Sequence, residues 1–361
     1  MGRLYSYFKT FAVAPAAASL GMVAIIVVAV YALPFNLRAQ GVMQGFESEI
    51  QDIFDRTKDC VVQIKTILPV TDATKGNVVT EVLSIGTGFF VDNKGHILTT
   101  AGMLRGNANA VVYWRGKTFE AQSLGQDPRT NLALLKIEME TPCLPLGDPE
   151  ALKVGSMVLA VGYPLDGPIS AEYGLVSNLD ADQLPQIFAT AHVRSSLRVQ
   201  PGQSGSPFLN SKGEVVGMVV YAMQDGSSTF ALPISAARKV QRDLLEFHTP
   251  RHGWTGLTIE VKTTPSSPNG GIAVRNVYQG YPGHLAGVHQ GDILVKIGSK
   301  TITTASDVMN ATFYLSIDET VNFTIQRDGE NLVLPVRVVP RPSDKELLAL
   351  KPVTTQTPSL R

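Results

Sequence analysis

The stretch Gly202-Gln203-Ser204-Gly205-Ser206-Pro207 lies between Leu197-Arg198-Val199 before it and a predicted strand with Val215-Val216-Gly217 after it. Its glycines allow a tight turn that exposes Ser204, and the backbone N–H groups of Gly202, Gln203 and Ser204 could converge on one point as an oxyanion hole. A serine nucleophile also needs an imidazole to take its proton and a carboxylate to orient that imidazole. Because serine and glycine are also the ordinary residues of hairpins, the turn alone favours a structural role.

Short runs of β-branched residues, separated by Gly, Pro, Asn and Asp, lie on both sides of this turn, from Cys60 to about Tyr221. Many short strands at that spacing, without intervening helices, are typical of an all-β barrel or sandwich. We expect a helix from about Ser235 to Phe247 to end this domain, which we place at residues 59–247.

A smaller unit follows a linker at residues 248–252, His248-Thr249-Pro250-Arg251-His252. Strands such as Ile272-Ala273-Val274 and Val321-Asn322-Phe323-Thr324-Ile325 flank two short helical segments, which predicts an α+β unit at residues 253–340. We expect the tail, residues 341–361, to hold a short helix at most, followed by a disordered stretch rich in Thr, Pro and Ser.

The N-terminal part predicts a transmembrane helix, because residues 10–37 carry no charge and exceed the roughly 20 residues that a bilayer core needs. Arg3 and Lys9 precede this segment and only Arg38 follows it closely, a bias that places residues 1–9 in the cytoplasm and the folded domains outside. A cleaved signal peptide ending near Val30-Tyr31-Ala32 is the alternative, but the apolar length favours an uncleaved anchor. Residues 38–58 then form a linker and a short amphipathic helix.

The composition argues against nucleic-acid binding but does not decide whether the two cysteines are paired. The chain has 31 basic and 31 acidic residues, so no nucleic-acid-binding surface is indicated. The two cysteines, Cys60 and Cys143, show neither CxxC nor metal-ligand spacing, and we favour two unpaired thiols over one disulfide. Without an HExxH or Cys/His pattern, the sequence predicts no metal and no cofactor.

Further segments in a fixed order carry a resemblance to a known family. Over about residues 46–340 the chain resembles the HtrA (DegP/DegS-like) family of trypsin-fold serine proteases with a C-terminal PDZ domain. The resemblance implies a mainly β fold with a trypsin-like double β-barrel followed by one α+β PDZ domain. The segments that carry it are Gly86-Thr87-Gly88-Phe89-Phe90-Val91, Gly95-His96-Ile97-Leu98-Thr99-Thr100, Asp127-Pro128-Arg129-Thr130-Asn131-Leu132, Val161-Gly162-Tyr163-Pro164, Gly174-Leu175-Val176-Ser177 and Phe230-Ala231-Leu232-Pro233.

On the family pattern, Ser204 occupies the nucleophile position, but Gly102 stands where the histidine is expected and Asn131 where the aspartate is expected. The second glycine after the nucleophile is Ser206. Glycine cannot accept a proton, and loss of the base alone costs on the order of a millionfold in such triads. The resemblance therefore implies a pseudoprotease.

Two other histidines, His96 and His192, are candidates to replace the missing base. His96 is six residues before Gly102 on an extended segment, which places it near the far end of the strand. His192 is on a strand that approaches the site in the family, so it is the one substitute to test, although a packed histidine is the simpler interpretation.

The segment Trp254-Thr255-Gly256-Leu257 resembles the carboxylate-binding loop of HtrA PDZ domains, where a bound peptide pairs with the following strand. The stretch Ser306-Asp307-Val308-Met309-Asn310-Ala311-Thr312-Phe313 would be the helix that lines the groove. A packing domain that binds nothing is the alternative.

The expected function is therefore that of a membrane-anchored scaffolding or regulatory protein in protein quality control. It would bind unfolded or C-terminal peptide segments from the periplasmic face of the inner membrane, as a homotrimer or together with an active relative. A serine endopeptidase that uses Ser204 with an unorthodox base, and a sensor whose barrel keeps a ligand pocket, remain alternatives.

Overall fold

The computed structural model describes residues 43–71, 78–105, 109–179, 189–264 and 267–353. The chain divides into two compact units, Met1–Asp52 and Ile53–Arg361, and of the first only residues 43–52 are described. Helix α1 covers residues 43–57. The anchor predicted at residues 10–37 lies outside the described residues. Over the described ranges, no helix combines the length and the apolar character needed to cross a bilayer.

The first six strands close into a barrel in the order β1-β2-β3-β6-β5-β4. Its core packs Val62, Ile64, Phe90 and Ile97 against Trp114, whose ring meets that of Phe90 edge to face at 5.1 Å. The strands are β1 (Val61–Thr71), β2 (Val78–Phe90), β3 (His96–Thr100), β4 (Ala110–Trp114), β5 (Lys117–Asp127) and β6 (Leu132–Lys136).

The next six strands close into a second barrel in the order β10-β11-β12-β9-β8-β7. Val158, Val193, Phe208 and Val216 are among its fully or almost fully buried core residues. The strands are β7 (Met157–Gly162), β8 (Ser170–Asn178), β9 (Val193–Ser195), β10 (Pro207–Leu209), β11 (Val215–Ala222) and β12 (Thr229–Pro233). Short 3-10 turns lie at Lys58–Cys60, Ala101–Leu104, Pro149–Ala151 and Pro164–Asp166.

Helix α2 (Ile234–Phe247) joins the two barrels and starts one residue before its predicted position. Its buried face, which includes Ala236, Val240 and Leu244, contacts β5 and β6 of the first barrel and β11 and β12 of the second. His248 ends the helix in the left-handed conformation with φ 58°, and its N–H donates to Leu244 O. Because one amphipathic helix packs against both barrels, it holds the two barrels together.

The remaining residues form the predicted α+β unit, built on a sheet in the order β14-β15-β16-β18-β19 with β17 paired to β16. Strand β14 is an edge strand of this sheet, and a separate pair, β13 with β20, joins the start of the unit to its end. The elements are β13 (Gly253–Trp254), β14 (Leu257–Thr264), β15 (Ser267–Val277), α3 (Pro282–Leu285), β16 (Ile293–Ile297), β17 (Lys300–Thr301), α4 (Ala305–Phe313), β18 (Thr320–Arg327), β19 (Glu330–Arg337), β20 (Val339–Pro340) and α5 (Asp344–Ala349).

Polar contacts join the α+β unit to the barrels. The Asn310 amide oxygen on α4 accepts hydrogen bonds from Thr190 Oγ1 at 2.8 Å and from the Ala191 N–H at 2.7 Å. In the linker, His252 Nε2 lies 3.0 Å from Asp127 Oδ2, and both side chains are at least nine-tenths buried. The linker segment is therefore fixed to the first barrel at its last residue.

Candidate functional site

The positions predicted for histidine and aspartate lie in contact. Gly102 is in the 3-10 turn that follows β3, and Asn131 immediately precedes β6, which pairs with β3. Asn131 Oδ1 accepts the Gly102 N–H at 3.1 Å, and Asn131 O accepts the Ala101 N–H at 3.1 Å. Asn131 Nδ2 donates to Val220 O at 3.0 Å in the second barrel. The asparagine amide is thus fully engaged in holding two backbone segments together.

Asn131 adopts the left-handed conformation, with φ 54°. Asparagine tolerates this region better than most side chains do. Its conformation and its two side-chain hydrogen bonds account for an asparagine here on structural grounds.

Space is left beside Gly102. A Cβ placed on this glycine would have Asn131 Oδ1, at 3.8 Å, as its nearest neighbour among the described residues outside its own chain neighbours. The turn therefore has room for a Cβ at residue 102 among the described residues.

The Ser204 turn is hydrogen-bonded to the first barrel. The Ser204 carbonyl accepts the Thr87 N–H at 2.9 Å, and Thr87 Oγ1 donates to Gly202 O at 2.8 Å. Gly205 has φ +89°, and a Cβ there would lie 2.1 Å from Thr87 O. A side chain at this position would be strained and would collide with backbone, so the turn requires glycine. Thr87, in the Gly86-Thr87-Gly88 motif, supports the turn in a way that the sequence pattern did not reveal.

Ser204 itself is half-buried, and its hydroxyl has no hydrogen-bond partner among the described residues. Two of the three predicted oxyanion donors, the N–H groups of Gly202 and Ser204, are likewise unbonded to described residues, whereas the Gln203 N–H donates to Gln200 O at 3.0 Å. The turn keeps N–H donors, and no described side chain is hydrogen-bonded to the Ser204 hydroxyl.

Two buried polar groups flank the serine. The Gln203 side chain is fully buried, and its Oε1 accepts the Gln200 N–H at 2.7 Å while its Nε2 finds no partner among the described residues. The Ser206 hydroxyl is also buried and unpartnered there, and it occupies the space that a Cβ on Gly162 would need, at 2.2 Å. The Ser206 side chain is accommodated because residue 162 is a glycine.

His192 lies next to β9, and its side chain is 1% exposed. Burial lowers the pKa of His192 to about 4, although the contact of its Nδ1 with Thr190 O at 2.8 Å opposes this shift. Its segment is bound to Asn310 of α4 through Ala191. His192 makes no hydrogen bond to Ser204, whose hydroxyl has no partner in the described part of the chain.

His96 begins β3, the strand whose other end leads into the turn with Gly102, and its Nδ1 lies 2.6 Å from Asp92 Oδ2. Its side chain is therefore hydrogen-bonded to Asp92 at the opposite end of β3 from the turn with Gly102. Across the described residues, no group of three or more His, Cys, Asp or Glu side chains is placed to hold a metal ion. Cys60 is buried, Cys143 is exposed, and both are unbonded.

A groove of about 220 Å³ lies between β14 and α4. Leu257, Ile259, Val308 and Met309 supply apolar walls, and the turn at residues 253–255 stands at the start of β14. The outer edge of β14 is unpaired within its sheet. An extended peptide could therefore add a strand here and place its side chains in an apolar channel.

The predicted carboxylate-binding loop is held rigidly. The Trp254 ring packs edge to face on Tyr281 at 4.6 Å. Gly256 has φ +75°, and a Cβ there would lie 2.3 Å from Tyr281 Cβ, so only glycine fits. Thr255 O and Gly256 O accept the N–H groups of Gly283 and Tyr278 at 2.7 and 2.9 Å. The carbonyls of the loop are thus used, whereas the N–H groups of Thr255 and Gly256 have no partner among the described residues.

Comparison with known proteins identifies the two folded parts. The sequence profile of the trypsin-like peptidase domain matches residues 86–218, and that of the PDZ domain matches residues 255–338. The structure of the HtrA-type protease AlgW with a tripeptide superposes with a TM-score of 0.69 at 24% identity, over 82% of this chain and 98% of that one. The fold is therefore that of a trypsin-like double barrel followed by a PDZ domain.

The sequence relatives give the family. The putative serine protease HhoA of Synechocystis is 30% identical over 274 residues, which cover 70% of each protein. A probable periplasmic DegP-like serine endoprotease of Marinomonas is 29% identical over 280 residues, or 74% of this chain and 59% of that protein. The chain belongs to the HtrA family, and it spans about three-fifths of the length of the DegP-like relatives that it matches.

Proposed function

We propose that this protein is an HtrA-type pseudoprotease that binds peptide segments through its PDZ groove and does not hydrolyse them. The observation that carries the proposal is the site around Ser204. Gly102 and Asn131 stand at the positions predicted for the histidine and the aspartate, and they are hydrogen-bonded to each other. The Ser204 hydroxyl has no partner among the described residues.

Proton transfer is the step that this site lacks. Serine attacks only when a neighbouring base removes its proton, and loss of that base costs on the order of a millionfold. Asn131 cannot act as the base, because an amide does not accept a proton near neutral pH and both ends of this one are already hydrogen-bonded. The unbonded N–H groups of Gly202 and Ser204 could still hold an acyl oxygen, which supports a residual binding role.

The alternative, a serine endopeptidase with an atypical base, depends on His192. That side chain is almost fully buried, and a pKa of about 4 makes it a weak base at neutral pH. The retained Ser204 and its turn are what favour the alternative. The geometry around His192 does not support it.

Binding at the PDZ groove is supported by the unpaired edge of β14 and the apolar channel beside it. Relatives are named as periplasmic, which supports an extracytoplasmic location for the folded domains. We include in the proposal the anchor at residues 10–37 and assembly as a homotrimer or with an active relative. In that setting an inactive member would hold or present peptides in protein quality control.

Hydrolysis of unfolded casein tests the proposal. The full-length protein, in detergent micelles, is incubated with fluorescently labelled casein beside its Ser204→Ala variant. We expect equal, background release of fluorescence from both. Release by the wild type that disappears in Ser204→Ala would establish the endopeptidase instead.

A further inference from the structure

The two cysteines of the chain approach the same residue of the first barrel. Cys60 is the last residue of the 3-10 turn that leads into β1. Strand β1 begins one residue later, and its register with β2 places Cys60 opposite Phe90. Leu144, which directly follows Cys143, donates its N–H to Phe90 O at 3.2 Å. Two segments that are far apart in the sequence therefore meet at Phe90, and each carries a cysteine.

The two thiols are close enough to influence each other. The pKa of the Cys60 thiol is raised to about 11, first by burial and then by Cys143, whose effect exceeds that of the adjacent residue Asp59. Because electrostatic interactions weaken with distance, an effect of this rank indicates that the two side chains are neighbours in space. Spacing along the sequence, which favoured two unpaired thiols, does not reveal this proximity.

The two side chains differ in freedom. Cys60 is buried, whereas Cys143 is exposed, and neither is bonded in this structure. An exposed side chain can turn to another staggered rotamer without disturbing the core. Cys143 can therefore reach oxidants in solution and can also turn towards Cys60.

Cys143 lies on the segment that crosses from the first barrel to the second. Leu144 is bonded to the first barrel, and the Gly147 N–H donates to Val215 O at 2.9 Å in β11 of the second barrel. A covalent bond from Cys143 to Cys60 would fix this crossing segment to the start of β1.

We propose that Cys60 and Cys143 form an intramolecular disulfide when the protein meets a thiol oxidant of the disulfide class, and that this bond fixes the crossing segment to the first barrel. The inference goes beyond the proposed function and does not depend on it. The extracytoplasmic location proposed above is the kind of compartment in which disulfides form and persist.

The reaction is two successive thiol–disulfide exchanges. The Cys143 thiolate attacks one sulfur of the oxidant, which gives a mixed disulfide and releases the other half as a thiolate. Cys60 then loses its proton to solvent, and its thiolate attacks Cys143 Sγ and releases the second half. Two S–H bonds are exchanged for one S–S bond, and the two electrons reduce the oxidant to two thiols.

Oxidised glutathione tests the pair in the full-length protein. The protein, in detergent micelles, is reduced, freed of reductant and incubated with oxidised glutathione, and its peptides are mapped by mass spectrometry without reduction. We expect a cross-linked pair of peptides that contains Cys60 and Cys143. Non-reducing gel electrophoresis should show a monomer, since the bond lies within one chain.

Thermal unfolding measures the consequence. A disulfide that closes a long loop restricts the unfolded chain, so the oxidised protein should melt about 5–10 °C above the reduced protein. Treatment with dithiothreitol should reverse this increase.

Single variants separate the two thiols. Cys60→Ala should stop at the mixed disulfide, with glutathione on Cys143, and Cys143→Ala should leave the buried Cys60 unmodified. Because Cys143 is exposed, Cys143→Ala should melt like the reduced wild type, with or without the oxidant. This variant keeps the test valid if Cys60→Ala does not fold.

Three results would overturn the proposed bond: two free thiols in the oxidised wild type, glutathione that remains on Cys143 while Cys60 stays free, or cross-linking only between copies of the chain. A wild type that forms the bond but melts no higher than its reduced form would overturn the proposed effect on the crossing segment. None of these results bears on peptide binding or hydrolysis, so the proposed function is tested separately.

Discussion

At the scale of single residues, the site shows how Gly102 and Asn131 are held in the fold. Asn131 joins the turn at Gly102 to β11 through its amide, so the position has a structural role that needs both a donor and an acceptor. The resemblance predicted that these two positions depart from the family pattern, and this stays a prediction. The sequence could not predict the structural role of Asn131, because the Val220 carbonyl that the amide reaches is 89 residues away along the chain.

Replacing Asn131 with alanine should therefore destabilise the protein. The change leaves the Gly102 N–H and the Val220 carbonyl without partners and places alanine at a positive φ, so we expect a loss of about 1–3 kcal/mol. Chemical denaturation measures it. Asn331→Ala, at an exposed asparagine, is the control and should change little, whereas equal stability of Asn131→Ala and wild type would show that the amide is not structural.

The buried His192 gives a pH dependence of defined sign. Its pKa is lowered from the ordinary value near 6.5 to about 4 in the folded state. Between those values the unfolded chain binds more protons, so stability should fall as the pH is lowered from about 6.5 to 4, by up to roughly 3 kcal/mol. His192→Gln should flatten this part of the stability curve. An equally steep curve in the variant would assign the acid sensitivity to other groups.

At the scale of elements, the β5–β6 turn has a larger role than its sequence suggested. It carries Asn131, places Arg129 at the groove, and holds the linker through Asp127 and His252. The sequence pattern predicted strands on both sides and a linker at residues 248–252. The contact between Asp127 and His252 could not be predicted, because the two residues are 125 positions apart and meet only when the α+β unit docks.

Asp127→Asn tests this anchoring. Burial alone would raise the pKa of Asp127, but hydrogen bonds from His252, Thr130 and Arg129 together hold it below its usual value. A depressed carboxyl pKa stabilises the fold above the unfolded value of about 4, and this contribution is lost as the pH falls through the folded value. We expect Asp127→Asn to melt below the wild type at pH 7 and the gap to narrow below about pH 4. A gap independent of pH would contradict the lowered pKa of Asp127.

At the scale of the whole molecule, strand spacing and glycine turns predicted an all-β barrel or sandwich followed by an α+β unit, because these are local signals. The double barrel was predicted only from the resemblance to the HtrA family. The docking of the PDZ domain was not predictable, since it depends on single polar contacts such as that of Asn310 with Thr190 and Ala191. Helix α2 begins at Ile234, one residue before the predicted start, and Pro233 rather than a polar cap precedes it.

The docking contact makes a prediction of its own. Asn310→Ala removes the acceptor of two hydrogen bonds and should separate the melting of the PDZ domain from that of the barrels, which calorimetry of the full-length protein would detect. Asn310→Asp keeps the acceptor oxygen and is the matched control, for which one joint transition is expected. A single transition in both variants would show that the contact does not couple the domains.

The central claim is that the fold and oxyanion turn are retained while proton transfer is lost. Labelling of Ser204 by a fluorophosphonate probe, followed by mass spectrometry of the full-length protein, tests it most directly. We predict no labelling of the wild type above the Ser204→Ala background, and labelling of the double variant Gly102→His with Asn131→Asp, in which the Cβ of residue 102 meets no described atom closer than 3.8 Å. Labelling of Ser204 in the wild type at a rate comparable with that of the double variant would contradict the claim.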